Sequence, residues 1–280
     1  MKIEHSQNRW VTLLISGLLL FGLTGGSVLS ALPESPENKV NKEFFLRFGR
    51  DFKGVVSAPC DWSKRDFLRL AVLSGAGLLI YSFDQDVSNW VQENRSLSSE
   101  DASSVFSYFG NGGVLLGLAG VIYAVGEINH QDTLRKTALL SVESLTTASA
   151  LAWALKAITG RARPYAGESS HSFHPFSFKS DFWSLPSGHA AAAFAVATTI
   201  AEQSDSPVID IAAFGLAALA GLSRIHDNKH WTSDVFIGSV IGYFVGKKIS
   251  DLNRRGADKP VGLGFQLSPG RQALTLSIAF

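Results

Sequence analysis

Six apolar stretches punctuate the chain: Phe67 to Phe83, Val114 to Val125, Ala138 to Ile158, Ala190 to Ala201, Ile209 to Leu222 and Val235 to Val245. None alternates apolar with polar residues and all are rich in Ala, Leu or Gly, so the pattern predicts six helices. Polar loops separate them. The loop from Asp84 to Asn111 carries Ser, Asp and Asn and has room for a short helix near Asp86 to Gln92. The leader before the first stretch predicts a short amphipathic helix over Glu43 to Phe52 and then a turn at Ala58-Pro59. At the C-terminus the pattern changes: Val261 to Leu267 and Ala273 to Phe280 flank Ser268-Pro269-Gly270-Arg271 and read as two strands about a turn. The expected fold is all-α, a six-helix bundle with a short C-terminal β-hairpin.

The first residues carry a different signal. Lys2 and Arg9 precede an apolar core from Val11 to Leu23, and small residues from Gly25 to Ala31 are followed by Pro33. That order fits a secretory signal peptide cleaved after Ser30 or Ala31, with an uncleaved anchor as the alternative. The expected division is 1–31 as targeting segment or anchor, 32–64 as leader, 65–252 as helical domain and 253–280 as hairpin. A net charge of +1 leaves no nucleic-acid footprint. The single cysteine, Cys60, excludes an intrachain disulfide and any multi-cysteine metal site. Hydrophobic residues make up 46% and mean hydropathy is +0.14, between soluble and multi-span proteins.

Chemistry concentrates in three separated stretches: Lys156-Ala-Ile-Thr-Gly-Arg-Ala-Arg163-Pro164, Pro186-Ser187-Gly188-His189, and Ser223-Arg224 followed by His230 and Asp234. Lys156, Arg163 and Arg224 supply fixed cations, and Arg presents forked donors that match phosphate oxygens. Ser187-Gly188 sits just before the apolar run from Ala190, so the backbone N–H groups of a helix start can face an anion. His230 and Asp234 are four apart; on one helical turn the carboxylate would fix the imidazole tautomer and leave the other nitrogen to attack. His189 has no acidic neighbour in sequence, which suits a proton donor. The set suits holding a tetrahedral oxyanion and attacking it with an imidazole.

These stretches resemble the three signature motifs of the type-2 phosphatidic acid phosphatase and vanadium haloperoxidase superfamily, K-x6-R-P, P-S-G-H and S-R-x5-H-x3-D, and every defining position matches in the family's order. The resemblance implies a metal-independent, cofactor-free hydrolase of phosphate monoesters or pyrophosphates, lipid phosphates among them, in the cell envelope. It implies that His230 is the nucleophile and forms phosphohistidine, that Asp234 orients it, and that His189 is the general acid. Lys156, Arg163, Ser187, Gly188 and Arg224 would hold the phosphoryl oxygens. The alternatives are a vanadate-dependent haloperoxidase with His230 as axial ligand, and a non-enzymatic envelope assembly protein working through its C-terminal hairpin.

The expected partners are a phosphorylated small molecule or lipid and a membrane surface, with no nucleic acid. Several apolar stretches hold only some 12 to 15 clean apolar residues, short of the roughly 20 a span needs. If the N-terminal apolar core and every later stretch crossed, four crossings would precede Lys156, whereas membrane members of the family usually have three. A periplasmic domain resolves the count, and a multi-pass inner-membrane protein is the alternative. The aromatic, polar loop from Tyr165 to Trp183 is expected to rim the pocket. Its His171 and His174 have metal-like spacing but no third ligand, so a polar loop explains them better. His226, Asp227 and Lys229 are expected either to shape the pocket wall or to be solvated. Gly238, Gly242 and Gly246 continue the four-residue spacing from Asp234 and suit close helix packing.

Overall fold

A computed structural model describes residues 38–257 and the strand residues 263–268 and 271–276. The expected targeting segment, the first leader residues and the turn and outer ends of the C-terminal hairpin lie outside the described residues. Within them are nine α-helices: α1 Lys42–Val56, α2 Lys64–Ser82, α3 Asp84–Glu93, α4 Leu97–Ser107, α5 Gly112–Ile128, α6 Asp132–Thr159, α7 Gly188–Gln203, α8 Pro207–His226 and α9 Thr232–Ala257. Strands β1 (Leu263–Ser268) and β2 (Arg271–Leu276) pair antiparallel, with Leu263 opposite Leu276 and Ser268 opposite Arg271.

The expectation of six helices is corrected to nine. Each apolar stretch lies mainly within one helix, the leader forms α1, and the helix near Asp86 to Gln92 is α3. The ninth, α4, has the sequence LSSEDASSVFS and no apolar stripe. It starts because Ser96 and Ser99 close a reciprocal capping box, each side chain accepting the other's backbone N–H.

α7 lies at the centre and packs on α6, α8 and α9. Leu140 and Ala148 of α6, Ala191 and Ala195 of α7, and Val245 and Ile249 of α9 form one buried cluster. Small side chains on α7 let its neighbours approach closely, and the glycines of α9 finish the seam. A methyl group at Gly238, Gly242 or Gly246 would lie 2.4, 2.3 or 2.6 Å from the carbonyl oxygens of Ser187, Ala191 and Ala195. Backbone therefore touches backbone along three turns, which no larger residue permits.

α1 docks on the bundle through charge: Arg47 donates to Oε1 of the fully buried Glu143 on α6 at 3.0 Å, and Asn253 of α9 donates to Asp51 at 2.7 Å. The helices also outlast their apolar runs. α6 and α8 are long and apolar enough to cross a membrane, and the bent pairs α2–α3 (51°) and 97–110 with α5 (61°) would each qualify as one broken span. This corrects the expectation that the apolar stretches are too short. Large apolar side chains stand exposed on these elements, among them Leu68 and Val72 of α2, Ile128 of α5, and Val208, Ile211 and Leu222 of α8.

Candidate active site

One end of the bundle gathers the C-terminal ends of α6 and α8 and the N-terminal ends of α7 and α9. Lys156 is in the last turn of α6, Arg224 in the last turn of α8, His189 in the first turn of α7 and Asp234 in the first turn of α9. Cations thus sit at helix C-termini, where the macrodipole favours them, and two helix N-termini face the same space.

α6 ends because Gly160 takes a left-handed conformation, φ +58°. A side chain there would collide with the carbonyl of His174, 1.8 Å from the position of a Cβ. The chain from Gly160 to Arg163 then runs extended, held by backbone hydrogen bonds to the following loop: His174 N–H to Gly160 O, Ala162 N–H to Ser172 O, Ser184 N–H to Arg161 O and Arg163 N–H to Asp181 O. The loop from Tyr165 to Trp183 is therefore the frame that aims the first motif.

The structure brings all eight expected site residues together. Lys156 is buried and donates to the carbonyl oxygens of Trp183 at 2.6 Å and Ser184 at 3.3 Å. It lies within electrostatic reach of Arg163, Arg224 and Asp234. Nη1 of Arg224 donates to Asp227 at 3.2 Å, and Asp227 also accepts from Ser103 of α4. The Nε groups of Arg163 and Arg224 are both buried with no hydrogen-bond partner among the described residues. Buried N–H donors are rarely left so; two of them, on guanidinium groups within electrostatic reach of each other, mark a place built for oxygens. Ser187 caps α7, its hydroxyl facing the N–H of Ala190 at 3.4 Å, and its own N–H donates to the carbonyl of Asp234 at 2.9 Å. The start of α7 is thereby fixed to the start of α9.

His230 is buried, and its Nδ1 lies 3.7 Å from Oδ2 of Asp234, beyond hydrogen-bond length. Asp234 is fully buried and accepts from the Ser184 hydroxyl, the Trp231 N–H at 3.0 Å and Arg161 Nη1 at 2.7 Å. Burial, aided by the Lys156 and Arg163 cations, pushes the His230 imidazole down to about 3 against the pull of Asp234. Burial and then the charges of Arg224, Lys156 and Arg163 push His189 down to about 4. Both shifts favour the neutral imidazole near pH 7, in which one ring nitrogen of each histidine keeps its lone pair. A bound phosphate dianion would offset the cations around His189 and favour its protonated form.

Both values lie below the ordinary 6.5. As pH falls through 6.5 the unfolded chain takes up protons that the folded chain refuses. Stability is therefore lost between about pH 6.5 and these folded values, and above 6.5 neither ring contributes. Between pH 6.5 and about 4.5 the Tm of His189→Gln should fall less steeply with pH than that of the wild type, because the variant removes one of the two rings that refuse a proton in the folded chain. A slope that the variant leaves unchanged would count against the assigned burial.

Beside Lys156 and His189 opens a cavity of about 270 Å³, lined also by Gly110, Gly112, Ser149, Trp153 and Trp183. Of the remaining loop residues, His174 engages Glu168 at 2.8 Å and His171 packs edge-on against Tyr81. No group of three His, Cys, Asp or Glu able to hold a metal occurs among the described residues. His226 meets Ser99, and Lys229 lies over the Tyr165 ring, so neither is simply solvated. Sequence reasoning missed Arg161, Ser184 and Asp84. A second arginine inside the first motif was the visible signal for Arg161; nothing local marks the other two.

Comparison with known proteins agrees with this geometry. Residues 137–254 match the PAP2 superfamily model. Over 90 residues the chain is 42% identical to a lipid A 1-phosphatase of Porphyromonas gingivalis, a match covering 30% of this chain and 20% of that protein. The chain thus spans about a fifth of the length of that curated relative. The fold resembles the crystal structure of Aquifex aeolicus LpxE, with TM-score 0.50 and 22% identity over 60% of this chain and 95% of that one. It also resembles a transmembrane PAP2 type phosphatidylglycerolphosphate phosphatase from Bacillus subtilis, with TM-score 0.54 and 24% identity over 68% and 94%. The segment matched by the PAP2 superfamily model, residues 137–254, carries all three motifs.

Proposed function

We propose that this chain is a phosphatase that removes phosphate from a phosphorylated lipid in the cell envelope, through a phosphohistidine at His230. The observation that carries the reading is the pair of buried, unpartnered Nε donors on Arg163 and Arg224 beside two neutral histidines. In the first step Nε2 of His230 bonds to phosphorus, the bond from phosphorus to the leaving oxygen breaks, and His189 gives that oxygen its proton. In the second, water attacks phosphorus, His189 takes the water's proton, and the P–N bond breaks to release inorganic phosphate. Lys156, Arg163 and Arg224, with the Ser187 hydroxyl and the Gly188 N–H, hold the phosphoryl oxygens in both steps. Asp234 orients His230 and balances the charge the ring acquires.

Fixed cations do the electrostatic work, so the reaction needs no metal. The cavity is smaller than the roughly 300–1,000 Å³ that encloses a drug-sized ligand. It suits the part of the substrate next to the phosphate, while apolar tails stay outside. The exposed apolar faces of α2, α5 and α8 are what a lipid-embedded or lipid-adsorbed protein presents. Membrane association is therefore the better reading of location, and the relative's name makes lipid A 1-phosphate a first substrate to try.

The test is phosphate release by purified protein in detergent from a panel of lipid and water-soluble phosphates. Turnover of the lipid phosphates that survives EDTA and is inhibited by vanadate is expected. Turnover lost in EDTA and restored by a divalent ion would sink the mechanism. Halide oxidation by vanadate-loaded protein without phosphatase activity would point to haloperoxidase chemistry instead.

A further inference from the structure

Asp84 and Arg161 do not enter the reaction as proposed, yet both are fully buried, and Arg161 is paired with Asp234. Asp84 begins α3 at the 51° bend after α2. Its Oδ1 accepts the backbone N–H of Ser233 at 2.8 Å, one of the donors that the start of α9 leaves without a helical partner. Its Oδ2 accepts the Ser233 hydroxyl and, at 2.7 Å, Nη2 of Arg161. Arg161 commits its other donors too. Nη1 reaches Asp234 at 2.7 Å and Ser233 Oγ at 2.8 Å, while Nε and Nη2 reach the Ser170 carbonyl at 3.0 and 2.7 Å. The rings of Tyr81, Trp231 and Phe173 surround the guanidinium at 4.7, 5.6 and 5.8 Å. Arg161 therefore has no donor left for phosphate, although it stands two residues from Arg163.

A guanidinium locked onto Asp234 poses an electrostatic difficulty. The carboxylate must balance the positive charge that His230 gains when it bonds to phosphorus. With Arg161 alone beside it, Asp234 would form a neutral pair and its pull on the ring would be largely cancelled. Asp84 removes that difficulty. Two carboxylates and one guanidinium leave one net negative charge, and only Asp234 of the two faces His230. The same contacts anchor the first turn of α9, from which Asp234 projects. We propose that Asp84 is a positioning residue for phosphoryl transfer: by neutralising Arg161 and gripping the start of α9, it leaves Asp234 its charge and its aim toward His230. The inference rests on the reading of His230 as nucleophile.

The experiment is rapid-quench measurement of phosphoenzyme formation in full-length protein, with KM and inhibition by inorganic phosphate measured alongside. Asp84→Asn keeps an oxygen for the Ser233 N–H but removes the charge. Its phosphoenzyme should form roughly tenfold to a hundredfold more slowly, the effect of one unit charge through a partly screened interior. KM and phosphate inhibition should stay near wild type, because the oxyanion cations are untouched. The decisive variant is the double, Asp84→Asn with Arg161→Gln. Removing Arg161 frees Asp234 again, so the double should be faster than Asp84→Asn alone, whereas loss of scaffold would make it slower. If Asp84→Asn does not fold, the double is compared with wild type, and a folded double slowed more than about a hundredfold overturns the proposal. An unchanged rate in folded Asp84→Asn, or a double slower than the single, also overturns it and leaves the phosphatase reading standing. No phosphate release from wild type would overturn both.

Discussion

His230→Ala is expected to abolish turnover of every phosphate substrate, with a loss on the order of 10⁴- to 10⁶-fold, as when the nucleophile of a covalent mechanism is removed. The site contains no substitute. His189 is in the first turn of another helix and among the oxyanion cations, and Lys156 is bound to the carbonyls of Trp183 and Ser184. The folded structure should tolerate the change: His230 leaves Asp234 with its bonds from Arg161, Ser184 and the Trp231 N–H. The measurement is alkaline quench of the enzyme with labelled substrate, followed by assay of base-stable, acid-labile phosphoprotein. Wild type should trap label on His230 and the variant none. Label still trapped by His230→Ala would mean that the roles of the two histidines are exchanged.

His189→Ala should instead discriminate between leaving groups. An alkyl or lipid alkoxide leaves badly without a proton, so such substrates should lose the general-acid contribution of about 10²- to 10⁴-fold. A nitrophenolate needs no proton, so its phosphorylation step should be nearly spared. The second step still needs His189 to activate water, so nitrophenyl phosphate should give a burst and then stall with phosphoenzyme accumulated. Equal crippling on both substrates with no burst would remove His189 from the acid's role. The cations also govern its pH behaviour. Free His189 is held at about 4, with burial the first cause and Arg224, Lys156 and Arg163 following. A dianionic substrate cancels much of their field, so the kcat profile should show a higher value for this group than the kcat/KM profile.

Much of the site was legible because its chemistry is carried by residue types at fixed spacings. Lys156, Arg163, Ser187, Gly188, His189, Arg224, His230 and Asp234 could all be picked out, and the structure brings them to one end of the bundle. The glycines at 238, 242 and 246 gave away a tight seam, though not which helix fills it. What stayed hidden is non-local. Asp84 meets Arg161 across 77 positions, and no local pattern says which carboxylate a buried arginine will take. α4 was hidden for another reason: its start depends on Ser96 and Ser99 bonding each other's backbone, while its composition reads as loop. Helix length misled as well, because α6 and α8 continue through charged or small residues beyond their clean apolar runs.

The glycine seam between α7 and α9 has a consequence for work in different lipids. His189 stands at the head of one of these helices and His230 just before the other, and the Ser187 N–H to Asp234 carbonyl bond closes the same end. A contact of main chain against main chain has no rotamers to exchange. The outer apolar side chains can therefore repack as bilayer thickness, acyl composition or detergent changes without altering the distance between His189 and His230. Solubilising conditions would then shift substrate delivery and apparent KM much more than the rate of the chemical step.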